Sequence, residues 1–160
     1  MKHPLHPALV HFPVACWTLA TVADVASLFW GEPAWRFAGM LLLVGAVAAL
    51  ATMAAGFLDL LKIPEDSPAL RIANRHLLMA VITWSAYAAS LMLRLHGKTL
   101  HAPDTLALCL SAFGFLALCV TGWLGGTLVY THGVGVRPST ANETQAGNPP
   151  PGTDAGRRHA

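Results

Sequence analysis

The sequence predicts an all-α integral membrane protein, an up-down bundle of four helices followed by a disordered C-terminal tail. Three observations carry this. Of 160 residues, 54% are hydrophobic and only 11% charged, where ordinary soluble domains carry roughly 25% charge. The apolar residues gather into four runs, each long enough to cross a bilayer, which takes about 20 residues. The links between the runs are short, and short links make antiparallel helical neighbours.

The spans are expected at about 8–30, 37–61, 70–95 and 104–130, within a membrane domain covering 1–136. The first run is interrupted by His11, Pro13 and Asp24. A lone Lys2, the length of the run and these interruptions argue against a signal peptide. Pro13 leaves two arrangements open. A helix starting at Pro7 would be kinked at Pro13, or a helix would start at Pro13 with HPLHPALVH lying as a cap over the bundle end. Gly31 to Arg36 links the first two spans, and the second carries Asp59 near its end. In the link KIPEDS, Ser67 followed by Pro68 reads as an N-cap and first helical residue. The third span leads through the loop HGKTLHAPD to the fourth. Residues 137–160, rich in Pro, Gly, Thr and Asn, are expected to be disordered.

An even number of spans puts both termini on one side. That side holds Lys2, Lys62, Arg71, Arg75 and Arg137, against Arg36, Arg94 and Lys98 on the other, so the positive-inside rule expects cytoplasmic termini. Trp30 and Trp35 suit interfacial anchoring, and Trp17, Trp84 and Trp123 are expected to pack inside. Cys16, Cys109 and Cys119 follow no CxxC pattern and read as small buried residues. Lipid is the expected partner, and no nucleic-acid motif is present.

Polar residues collect at the terminal end of the bundle. His3, His6 and His11 open the first span, Asp59 closes the second, His76 starts the third and His132 ends the fourth. At helical spacing from His76 come Ala80, Thr83, Tyr87, Ser90 and Arg94, one polar stripe that must face the interior. Counting back from His132 gives Gly125, Thr121, Leu118, Gly114 and Ser111, and Asp59 shares a face with Gly56, Thr52, Ala49 and Gly45. The glycines, including the GxxxG of Gly122 and Gly126, suit tight helix packing or room for a flat cofactor.

Three chemistries stay open. Two facing helices with one histidine each can bind b-type haem axially, with His11 and His76 as the pair, His132 as alternate and Arg75 meeting a propionate; no CxxCH is present for covalent haem. Alternatively His6, His11, Asp59, His76 and His132 hold a transition-metal ion. Or the cluster is a hydrogen-bonded knot that fixes helix register, with Asp59 paired to Arg75 or His76. Asp24, buried mid-span, is expected neutral, paired to Thr or Arg, or on a proton path. His96 and His101 read as solvated loop residues. No GxSxG, HExxH or phosphate loop occurs, so no independent catalytic activity is expected. A transporter built from four spans without a visible repeat would need a homo-oligomer.

Four segments together, HPLHPALVHFP, GFLDLLKIP, RHLLM and GGTLVYTHGVGV, resemble the bacterial predicted-membrane-protein family called domain of unknown function 2231, over roughly Lys2 to Val136. The resemblance implies a four-helix inner-membrane domain and supplies no established activity. Members resemble parts of larger chains that carry Rieske-type iron–sulfur or other redox domains, which favours electron transfer with redox partner proteins by analogy. The motif residues carried over are His3, His6, His11, His76, His132 and Asp59.

Overall fold

The computed structural model describes residues 5–134. A short helix α1 (Leu5–Leu9) precedes α2 (His11–Trp30), α3 (Glu32–Leu60), α4 (Pro68–Arg94) and α5 (Thr105–Tyr130), and a two-stranded ribbon, β1 (Leu95–His96) and β2 (Thr99–Leu100), joins α4 to α5. The four long helices are each long and apolar enough to cross a membrane. The expected tail, with Arg137 and His159, lies outside the described residues, as does His3 at the other end of the chain.

Local chemistry sets the boundaries. Pro13 has no N–H for the carbonyl of Leu9, and its ring crowds that carbonyl, so α1 ends at Leu9 and α2 begins at His11. The segment before Pro13 is thus a separate capping turn, and α2 starts two residues ahead of the proline. The first link is shorter than expected. Gly31, at φ 65°, alone joins α2 to α3, because Pro33 starts the new helix in its first turn. Ser67 caps α4 by accepting from the Ala69 amide at 3.3 Å, with Pro68 first in the helix, and Asp104 caps α5 through the Ala107 amide at 2.8 Å.

α2 packs along α3 and α4 along α5, as two antiparallel hairpins. Where they close on one another, Trp17, Leu42, Tyr87, Leu91 and Leu118 form the main core. The outward faces carry Leu19, Val22, Phe37, Val47, Leu78 and Leu116, all exposed as lipid contact requires.

The two hairpins are copies of one plan. Three pairs of residues meet between them: His6 with His76, Trp17 with Tyr87, and Asp24 with Arg94. Members of each pair stand 70 positions apart. The second helices match as well, 69 positions apart: Gly45 and Gly114 receive the rings of Trp17 and Tyr87, while Gly56 and Gly125 receive those of His6 and His76. The chain is therefore a duplicated helical hairpin with a pseudo-two-fold relation. The repeat escapes inspection because two of the three pairs differ in type: tryptophan faces tyrosine, and aspartate faces arginine.

Other expectations are corrected. Cys109 and Cys119 are exposed on the outer surface, and Cys16 is half-buried. Trp123 is exposed on α5, whereas Trp17 is buried and Trp84 half-buried, its indole N–H donating to the Ala46 carbonyl at 3.1 Å. A side chain at Gly122 would meet nothing within 4 Å, so the GxxxG face is not a packing seam between the described helices.

Candidate functional site

The terminal end of the bundle holds His6 and His76, with ring centres 6.4 Å apart and planes at 88°. Each imidazole sits in the same kind of socket. His6 Nδ1 donates to the Thr52 carbonyl on α3 at 2.9 Å, and His76 Nδ1 donates to the Thr121 carbonyl on α5 at 3.0 Å. Those carbonyls are reachable because the residue four positions on is glycine: Gly56 follows Thr52, and Gly125 follows Thr121. Side chains on a helix lean back over the preceding turn. A Cβ at Gly56 would lie 2.8 Å from the His6 ring, and one at Gly125 would lie 3.2 Å from the His76 ring. The threonine hydroxyls bond their own helices, to Ala48 and Ala117, and do not compete. The pattern Thr-x-x-x-Gly is thus a histidine socket, used once in each hairpin.

The sockets decide the tautomers. A carbonyl only accepts, so Nδ1 carries a hydrogen on both rings, and Nε2 is the nitrogen with a lone pair in the neutral imidazole. Metal-ligating histidines are held this way, with the far nitrogen bonded to a carbonyl. A metal–nitrogen bond of about 2.0–2.1 Å sets an imidazole centre roughly 3.2 Å from the metal, so two rings trans on one centre stand about 6.4 Å apart. The observed separation of the ring centres lies within the reach of two imidazoles sharing one centre.

The remaining candidates do not join this pair. His11 is exposed at the start of α2, so the partner of His76 is His6. The break at Pro13 carries His6 over the bundle end and leaves His11 on its outside. His132 follows α5, eleven residues beyond Thr121, roughly 16 Å along a helix axis. Asp59 binds Lys62 at 2.7 Å on the surface, not Arg75 or His76, because it lies seven residues, about 10 Å, past Thr52. Arg75 is exposed on α4. Among the described residues, no three His, Cys, Asp or Glu side chains group to hold a metal ion, so the five-residue set is not assembled.

The opposite end of the interior is closed by charge. Arg94 Nη1 and Nη2 donate to the two oxygens of Asp24 at 2.5 and 2.7 Å, and Nη2 also reaches Ser90 and Ser111 at 2.9 and 3.1 Å. Ser90 spends its hydrogen on the Ala107 carbonyl at 2.7 Å, so Ser111 donates to Ser90 at 2.9 Å. Between the two ends, Tyr87 meets the Thr21 hydroxyl at 2.9 Å and Thr83 meets Thr121 at 3.2 Å. The polar stripe of α4 is therefore interior, as its spacing predicts, and Asp24 is paired to arginine. Reading hairpin offsets rather than single spans would have revealed both His6 and Arg94.

The chain matches the family model described as Predicted membrane protein (DUF2231) over residues 2–138. No curated protein and no solved structure matches it.

Proposed function

We propose a function for a chain that belongs to the DUF2231 family of predicted membrane proteins: a membrane module that holds one metal centre between His6 and His76. One observation carries this. Two imidazoles from equivalent positions of a duplicated hairpin, each with Nδ1 spent on a carbonyl, stand with ring centres 6.4 Å apart. The first form of the centre is b-type haem. His6 and His76 would hold it. Bound haem would supply one-electron ferrous–ferric chemistry, and the module would then serve redox partner proteins as an electron carrier. The second form is a single transition-metal ion. It is favoured by the glycine notches, since the imidazoles themselves fill the room at Gly56 and Gly125.

The setting is a bacterial inner membrane with cytoplasmic termini. Burial of Arg94 against Asp24 removes it from the flanking charges, leaving five cations on the terminal side against Arg36 and Lys98.

The test is an absorption spectrum of the protein purified in mild detergent from haem-replete cells, before and after dithionite. A Soret band with sharp reduced α and β bands is expected. His6→Gln and His76→Gln should abolish it equally, and His11→Gln and His132→Gln should leave it intact. A colourless, folded protein sinks the haem form. One equivalent of metal in that sample, lost in both socket variants, then supports the ion. Absence of metal as well overturns the proposal.

A further inference from the structure

The second hairpin departs from the first where its two helices join. The helix of the first copy runs unbroken to Trp30 and turns on Gly31 alone, whereas α4 stops at Arg94 and the chain forms the ribbon of β1 and β2. That ribbon brings His96 and His101 together. Their ring centres are 4.7 Å apart, with planes at 74°. We propose that His96 and His101 form a two-imidazole site for a divalent first-row transition-metal cation, on the face of the bundle opposite His6 and His76.

The ribbon is a firm base. Gly97, at φ 67°, makes the tight turn, Leu95 pairs with Leu100, and the His101 amide donates to the Arg94 carbonyl at 2.9 Å. Leu95 and Leu100 pack against the main core, and the Leu100 methyls fill the notch at Gly39. With the leucines pointing inward, His96 and His101 are exposed and bind a cation without loss of burial.

One hydroxyl settles the ligand atom of His101. Thr99 donates its single hydrogen to the His96 carbonyl at 2.9 Å. Its oxygen, 3.0 Å from His101 Nε2, must then accept from that nitrogen. His101 is held with Nε2 protonated and Nδ1 free to ligate, while His96 is not so constrained. Spacing agrees. Two imidazoles on one metal stand roughly 5.2 Å apart at a tetrahedral angle and about 4.5 Å at a right angle. The observed separation lies between these. Water completes the coordination, and Cu²⁺ is the tightest divalent ion for such nitrogen ligands.

The experiment titrates Cu²⁺ into the detergent-solubilised full chain, purified without a histidine tag, following histidine-ring NMR signals and bound equivalents. The His96 and His101 signals should broaden together at substoichiometric copper. His96→Gln and His101→Gln should each remove the same single equivalent, and H6Q/H76Q should not remove it. Thr99→Val should weaken the site several-fold at unchanged stoichiometry, with Thr99→Ser restoring it, since Thr99 is a positioning residue. Loss of that equivalent in only one of the two histidine variants, or in neither, overturns the proposal.

Discussion

At the residue scale, the strongest commitment in the molecule is the pair Asp24–Arg94. The arginine is fully buried and the aspartate 2% exposed. Charges so placed gain attraction but lose their water, so the pair adds little net stability over apolar residues, whereas a lone survivor is costly. Asp24→Asn or Arg94→Gln should therefore lower stability by about 3–5 kcal/mol, and D24L/R94M should recover most of it. Thermal unfolding in detergent checks this; equal losses in the single and double variants would contradict it. The need for an interior partner was legible, because Asp24 lies mid-span. The partner was less so, because Arg94 also reads as a flanking charge.

At the element scale, one imino acid and two glycines build the histidine site. Pro13 breaks the first helix so that His6 leaves its axis and crosses to Thr52. Pro13→Ala restores a donor for the Leu9 carbonyl and should fuse α1 to α2. Circular dichroism should show a small helical gain, and the ¹⁵N shifts of the His6 ring should lose the fixed Nδ1–H tautomer. Unchanged ring shifts would mean that the break does not position His6. The sequence left both treatments of Pro13 open, because a proline near a helix start marks a boundary as readily as a kink. It also offered Thr52, Gly56, Thr121 and Gly125 as interior residues. Their pairing as sockets needed the histidine rings in place.

At the scale of the whole molecule, two hairpins of one design close on unlike partners. Asp24 faces Arg94 across the interface, so two copies of the first hairpin would oppose aspartate to aspartate, and two of the second arginine to arginine. Like charges so buried are strongly unfavourable, which makes pairing of unlike halves the specific outcome. Orientation also belongs to this scale. Reporters fused to the C-terminus should be active on the cytoplasmic side. Neutralising Lys62, Arg71 and Arg75 together leaves two cations on each side and should give mixed topology. A uniform orientation in that variant would show that charge balance does not set it.

The sequence by itself determined the four helices, their up-down order, the Ser67 cap and the inward stripe of α4. These follow from hydropathy and helical period, which act along the chain and need no partner. Only the tertiary structure decided which histidine meets His76, that Asp59 turns outward to Lys62, that Gly122 packs against nothing, and that His96 and His101 stand side by side. Those depend on depth and rotation between helices. They are set by rings seated in glycine notches, by Leu100 against Gly39 and by one buried ion pair, contacts between residues tens of positions apart.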